Sequence, residues 1–246
     1  MVGGVRGVEA TATETNRNAT QPGRDPNRAL GCDHHGHHQS LKDPDMAALF
    51  TYLLHRPKTP WLAALFTLAL VTNTLATNWL NESYALSRFP VPYFQAQLSF
   101  NAAQLKGWYA QLIEWGTMDL YLRTQFIDHV FILTVLVLHV VALLWGSRLF
   151  AANHRGRRIM VGAALLSAIA PIADTLENLV SYVMLADPLG FPDSLALLYS
   201  SLAAIKFAMF TFAYFALAVG VVVAMVVGLA ARRRQRSARR GTVLGA

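Results

Sequence analysis

A short acidic motif and a distant lysine are the residues of this chain best suited to chemistry. Asp174, Glu177 and Asn178 are spaced at i, i+3 and i+4, so on a helix all three side chains point to one side. Lys206 is the only basic residue in the apolar stretch 197–231. A charged side chain at the centre of a membrane helix costs about 2.5–3.5 kcal/mol. We therefore expect Lys206 to pair with Glu177 or Asp174.

Three further polar residues are expected at the same depth. Asp128 and His129 lie at the start of a second apolar stretch. Asn73 lies in the polar second half of a third apolar stretch. Hydrocarbon offers such side chains no partner, so they should face other helices. The predicted polar cluster comprises Asp128, His129, Asp174, Glu177, Asn178, Lys206 and Asn73. It is either a binding site or a buried ion-pair network that only fixes helix register.

The amino-terminal region contains a tract of potential metal ligands. Its thiol and imidazole groups belong to Cys32, His34, His35, His37 and His38. Such groups bind zinc, copper or nickel ions. The tract lacks the second spaced ligand pair of a zinc finger, so we favour a solvated tail with adventitious metal affinity over regulated metal capture.

No other familiar chemistry is indicated. His139 lies in the middle of an apolar stretch, but the second axial histidine that a haem would need at the same depth is missing. We therefore expect His139 to be a hydrogen-bonded packing residue. The chain has no P-loop, Gly-x-Ser-x-Gly or His-Glu-x-x-His motif and no spaced cysteine pair. We predict no cofactor, and these absences weaken the case for an enzyme.

Composition identifies the elements that must position these residues. Of the 246 residues, 54% are hydrophobic and only 14% charged, against about 25% charged in a soluble domain. The net charge of +7 comes from Lys and Arg at the ends of apolar stretches and in the tail, a placement typical of membrane topology. We therefore predict an integral membrane protein in contact with the lipid bilayer and with no nucleic-acid partner.

The apolar stretches predict an all-α four-helix membrane bundle. Residues 1–45 have the composition of a disordered tail, residues 46–231 form the membrane domain, and residues 232–246 are a basic tail. We place the spans at about 60–80, 126–146, 159–185 and 197–231. The last is too long for one crossing and should project on its outer side, tilt, or both.

The segment between the first two spans carries its own helical pattern. Leu105, Trp108, Tyr109, Leu112 and Ile113 recur at three- and four-residue steps, typical of an amphipathic helix. We expect the external loop 81–125 to include this helix, lying on the membrane or capping the bundle. In the third span, Pro171 predicts a kink.

Basic flanks predict the orientation. Arg56 and Lys58 precede the first span, four Arg separate the second and third spans, and six Arg follow the fourth. Basic residues mark the cytoplasmic side of short flanks. We expect a multi-pass protein of the inner (plasma) membrane with both termini in the cytoplasm, so that the polar cluster lies in the outer leaflet.

Residues from about Phe94 to Ala218 resemble a broad group of bacterial four-span membrane proteins of no assigned function. The likeness rests on the segment 121–128, on the Asp-x-x-Glu-Asn motif and on the later Pro188 and Lys206. The chain departs from the group after Asp128, where the group often has Phe-Pro, and in its His-rich leader. The resemblance implies the four-helix architecture and no reaction.

Three hypotheses for function follow. The first is a lipid headgroup, ion or proton bound in an outer-leaflet polar cavity. The second is a structural or assembly partner in a larger membrane complex, with the cluster as a register device and the amphipathic segment as a docking surface. The third, weaker hypothesis is an intramembrane lipid-modifying enzyme, with Asp128 or Glu177 as acid or base and His129 assisting.

Overall fold

The computed structural model describes residues 46–244, with side-chain burial through Gln235. No strand occurs in this part of the chain. Its eight helices are α1 (Met46–His55), α2 (Thr59–Ser87), α3 (Tyr93–Gln97), α4 (Ala102–Glu114), α5 (Met118–Ser147), α6 (Arg155–Leu166), α7 (Ile169–Ala186) and α8 (Asp193–Leu244). The predictions for residues 1–45, including the metal-ligand tract, lie outside the described residues.

Four helical segments are long and apolar enough to cross a membrane. They are α2 with 29 residues, α5 with 30, α6 and α7 together with 32, and a 43-residue part of α8 ending at Gln235. About 20 helical residues suffice for a hydrocarbon core of about 30 Å, so every segment has excess length. The predicted fold class is confirmed: the chain is an all-α, multi-pass membrane protein built as a four-helix bundle.

The first two spanning helices are longer than predicted. α2 continues to Ser87 rather than to residue 80, and α5 begins at Met118 rather than at 126. The expected loop 81–125 is therefore reduced to 88–117. Hydropathy detects only the lipid-facing length, whereas these helix ends continue because they pack against neighbours: Ser83 and Ser87 are buried.

The segment between α2 and α5 caps one end of the bundle. α4 begins after Asn101, whose Oδ1 accepts a hydrogen bond from Gln104 N at 3.1 Å, and the chain then turns through Gly116, whose φ is +66°. The helical part of the expected loop 81–125 is thus divided among α3, α4 and the start of α5. Leu105, Tyr109 and Leu112 are fully buried, so α4 covers the bundle instead of lying apart from it.

Aromatic residues form the core of this capped end. Burial raises the pKa of Tyr109 well above its usual value, so its phenol stays neutral. The capped end is defined here by one buried cluster, which includes Phe89, Leu105, Tyr109, Leu112, Tyr121, Met184, Phe191 and Tyr199.

A second core occupies the opposite end, which we call the basic end. It is defined by the buried cluster that includes Leu62, Leu143, Leu144, Phe150, Met160, Val161 and Ala213. The short helix α1 packs there against α6. Gly220 of α8 lies so close to the Met160 side chain that an added Cβ would require Met160 to move.

The third span is interrupted near the predicted kink. α6 ends at Leu166 and α7 begins at Ile169. Pro171 has no N–H to donate to the carbonyl four residues earlier, at Ser167, which explains the position of the break. The Ser167 carbonyl accepts instead from Ala170 N at 3.4 Å, and the Ser167 hydroxyl donates to the Ala164 carbonyl at 2.8 Å.

The part of α8 that packs least against the other helices is its carboxyl-terminal part. The start of α8 packs against α3 and α4, whereas every residue from Met225 to Gln235 is exposed. The cap embraces the first turns of α8, so the unsupported length lies at the carboxyl end.

Candidate functional site

Two carboxylates and one ammonium group form a buried ion cluster between α7 and α8. Lys206 Nζ donates a hydrogen bond to Asp174 Oδ1 at 2.8 Å and makes a second ion pair with Glu177 Oε2. The side chains of Lys206, Asp174 and Glu177 are 4%, 2% and 0% exposed. Lys206 therefore pairs with both acidic residues rather than with one.

A third carboxylate joins this cluster from α5. Asn178 Nδ2 donates to Asp128 Oδ2 at 2.7 Å, and Asn178 itself is 1% exposed. Because Asn178 follows Glu177 on the inner side of α7, it links the ion cluster to α5. Three helices thus contribute to one polar layer.

The layer lies well inside the bundle. Asp128 is ten residues from the start of α5 at Met118, which corresponds to about 15 Å at 1.5 Å per residue. Asn178 lies eight residues before the end of α7 at Ala186, or about 12 Å. Charged groups at this depth are costly unless paired, which explains why these side chains converge.

A cavity of about 240 Å³ lies directly against this layer. Asp128, Asp174 and Lys206 form part of its wall, whereas Glu177 does not. The Lys206 ammonium is therefore paired with two carboxylates, and the ion cluster also borders an internal space. The remaining lining residues are Thr77, Leu80, Asn81, Tyr84, Tyr93, Ala96, Gln97, Tyr121, Thr124, Gln125, Phe131, Val135, Tyr199, Phe207, Phe210 and Tyr214.

Several polar residues of the cavity wall lie nearer the capped end than its phenylalanines do. Towards the capped end its wall carries Gln97, Gln125 and Asp128, and further from that end it carries Phe131 and Phe210. This gradient matches an amphiphile, with a polar head at the capped end and an apolar part deeper in the bundle.

Two predicted members of the cluster do not line the cavity. Asn73 Nδ2 donates to Thr134 Oγ1 at 3.2 Å, so it connects α2 to α5 away from the acidic groups. The His129 ring stacks on Tyr182 with centroids 5.8 Å apart, and neither His129 nor Asn73 lines the cavity. Thr134 lies six residues beyond Asp128 on α5, about 9 Å along the helix, so Asn73 lies at a different height. His129 has the expected height and points in another direction.

The sequence reasoning missed several cavity residues. Gln125 lies three positions before Asp128 in an apolar helix, a spacing that places both on one side of α5, so it could have been found. Gln97 carries no comparable signal, since its position depends on how α3 folds back over the bundle.

His139 packs in an aromatic environment beside the deep part of the cavity. It is 4% exposed, and its ring lies edge-on to Phe210 and Tyr214, with centroids 5.4 and 4.8 Å away. Within residues 46–235 neither ring nitrogen has a hydrogen-bond partner. The expectation of a packing histidine is met, but the expected hydrogen bond is not found.

No group of three or more His, Cys, Asp and Glu side chains capable of holding a metal ion occurs among the described residues.

Comparison with known proteins finds no matching family model, no matching curated protein and no matching solved structure. The fold and the cavity define the class of this protein: it is a four-span helical membrane protein with a charged internal cavity.

Proposed function

We propose that this protein binds the headgroup of a membrane lipid in its internal cavity. The single observation that carries the proposal is a space of about 240 Å³ inside the membrane domain whose wall contains Asp128, Asp174 and Lys206. Ligand sites are concave and mostly apolar, with a few well-placed polar groups, and this cavity has that composition. A charged wall facing hydrocarbon alone would be costly, so a polar occupant is favoured.

We further propose that the protein lies in the inner (plasma) membrane with both termini in the cytoplasm. Arg155, Arg157 and Arg158 all lie at the basic end, and basic flanks favour the cytoplasm. In this orientation α3 and α4 face outwards, and the cavity opens to the outer leaflet.

Cysteine labelling tests the orientation. In a Cys32→Ala background, Gln104→Cys at the capped end and Arg155→Cys at the basic end are both exposed positions. A membrane-impermeant maleimide added to intact cells should label Gln104→Cys and spare Arg155→Cys. The reverse pattern would place the cavity in the inner leaflet.

Lipid retention tests the binding proposal. The full chain is purified in mild detergent, and bound lipid is measured by mass spectrometry. Thr77→Trp places a large ring in the cavity wall and should lower bound lipid at least tenfold. Thr74→Trp, an exposed site on the same helix, is the matched control and should retain lipid as the wild type does. Equal retention by both variants would refute the proposal.

A second candidate function is architectural. The near-complete burial of the Lys206 ion pairs favours a device that fixes the register of α7 against α8. The triple variant Lys206→Met, Asp174→Asn and Glu177→Gln removes the charges at similar volume. If register is the only role, the triple variant should retain as much lipid as the wild type; if the charges bind the headgroup, lipid should be lost while the helices still fold.

The assembly-partner hypothesis has less structural support. It used the apolar side of the amphipathic segment as a docking surface, and Leu105, Tyr109 and Leu112 of that side are instead buried within the capped end.

A further inference from the structure

We propose that the cavity is selective for a lipid whose headgroup carries a primary ammonium, and that this lipid enters sideways between α2 and α8. This inference rests on the proposed lipid-binding function and names the chemical class of the ligand. It follows from the charge of the cavity wall, from its hydrogen-bonding groups and from the position of its mouth.

The charges around the cavity are unbalanced. Lys206 is the one cationic side chain among the lining residues, and it already pairs with Asp174 and Glu177. Asp128 has no ion pair among the described residues. Fully ionised, the cluster holds three carboxylates and one ammonium, and an added cation next to Asp128 would offset the excess negative charge. A headgroup of net negative charge would increase that excess, whereas a zwitterionic headgroup adds no net charge and can direct its ammonium towards Asp128 and its phosphate away from the carboxylates.

Two hydrogen-bond acceptors in the cavity wall, on Asp128 and Gln97, have room for a further donor. Asp128 receives one hydrogen bond from the described residues, from Asn178, although a carboxylate can accept about four. Gln97 Oε1 is buried and has no hydrogen-bond partner in the part of the chain described by the structure. Both residues line the cavity. A primary ammonium has three N–H donors and no acceptor, so it can donate to acceptors of the kind that Asp128 and Gln97 present in the cavity wall.

The mouth of the cavity faces the lipid. α2 and α8 both contribute to the wall, yet they are not among the helix pairs that pack closely on one another. Tyr214, which lines the deep apolar part, is 58% exposed on a spanning helix. The cavity wall therefore includes a residue that is also exposed on the surface of the bundle, in the apolar part of α8.

The volume suits a lipid that is only partly enclosed. Pockets that hold a whole drug-sized ligand typically measure about 300–1,000 Å³, and this cavity measures about 240 Å³. A headgroup and the start of a chain fit inside against Phe131, Phe207 and Phe210. The rest of the chain then lies in the bilayer beyond the gap between α2 and α8.

Competition between two lipids tests the selectivity. The full-length protein is placed in detergent with equimolar dioleoyl phosphatidylethanolamine and dioleoyl phosphatidylglycerol, and bound lipid is counted by native mass spectrometry. We expect at least tenfold preference for the ethanolamine lipid. Asp128→Asn should abolish the preference, because Asn still accepts the Asn178 hydrogen bond but carries no charge. Asp119→Asn, at an exposed site on the same helix, should leave it unchanged.

A second pair of variants guards against a folding defect in Asp128→Asn. Gln97→Leu removes the other free acceptor and should lower the preference several-fold, whereas Gln104→Leu, an exposed position on α4, should not. Free ethanolamine and sodium chloride distinguish a lipid from a small cation. If neither displaces lipid at tens of millimolar while the ethanolamine lipid competes, the acyl chain contributes to binding as proposed.

The outcomes separate the two proposals. Preference for phosphatidylglycerol, or an unchanged preference in Asp128→Asn that elutes and melts like the wild type, overturns the ammonium inference and leaves lipid binding intact. Saturable binding of ethanolamine or sodium that expels lipid overturns it in favour of a free cation. Retention of neither lipid by the wild type overturns lipid binding itself.

Discussion

The capped end and the basic end of this bundle handle charge in opposite ways. Close to the capped end, the charge of Lys206 is buried and paired with carboxylates from another helix. At the basic end, Arg148 donates to the backbone carbonyl oxygens of Leu53, Arg56 and Pro57 at 2.9, 3.0 and 3.3 Å. The Lys206 cluster forms part of a charged cavity wall, whereas the Arg148 hydrogen bonds hold the carboxyl end of α1 in place.

The contrast teaches where a ligand can act. Carbonyl groups at the end of α1 have no partner within the helix, so the arginines supply bonds that any helix end requires. Burial and the nearby Arg157 charge lower the pKa of Arg148, but its role there is complete without an added molecule. The polar layer near the capped end, by contrast, borders a cavity and keeps unsatisfied acceptors.

The largest effect is expected from removing the cation of the buried cluster. Lys206→Met leaves Asp174 and Glu177 buried without a partner, and breaking a buried ion pair costs about 3–5 kcal/mol. Unfolding of the purified protein in detergent should show this loss of free energy. Arg155→Met, at an exposed site of the basic end, should change stability by less than about 0.5 kcal/mol. Equal losses would erase the contrast between the two ends.

A slightly smaller effect is expected from weakening the cap. Leu105 is fully buried, and truncation of a buried leucine to alanine typically costs about 2–5 kcal/mol. Leu105→Ala should therefore destabilise the protein and lower lipid retention, because α4 would hold the cavity less firmly. Ile113→Ala, on the exposed side of α4, is the control. A cap that tolerates Leu105→Ala would show that α4 is not part of the cooperative core.

A local effect is expected at the basic end. Arg148→Met removes the guanidinium that bonds to the α1 carbonyls, and hydrogen bonds to charged groups contribute about 1.5–3 kcal/mol. Amide hydrogen exchange should become faster in α1 and stay unchanged in α7. Arg158→Met, an exposed neighbour, should leave α1 protected. Faster exchange throughout the bundle would mean that α1 is coupled to the site after all.

The smallest effect is expected at Asn73. Its hydrogen bond to Thr134 joins two helices outside the cavity, and such bonds in membrane proteins average about 0.6 kcal/mol. Asn73→Leu should therefore lower the free energy of unfolding by about that amount and leave lipid retention unchanged. A loss of lipid would instead return Asn73 to the site in which the sequence placed it.

Several features of the site were predictable for a common reason. Helical periodicity puts Asp174, Glu177 and Asn178 on one side of α7 whatever surrounds them. Because an unpaired charge in hydrocarbon is costly, pairing of Lys206 with these carboxylates is favoured. His129 is adjacent to Asp128, so its side chain points about 100° further around the helix, where it stacks on Tyr182 and does not line the cavity. Depth was correct there, and facing was not.

The sequence by itself determined the four apolar helices, the interruption near Pro171 and the depth of the charged residues, because these follow from hydrophobicity, from helical geometry and from the missing proline N–H. Tertiary structure alone decided that α3 and α4 fold back as a cap, that Gln97 and Tyr214 share one cavity, and that α2 and α8 do not pack closely on each other. Those features depend on which helices meet and at what angle, and packing between distant segments leaves no periodic trace in the chain.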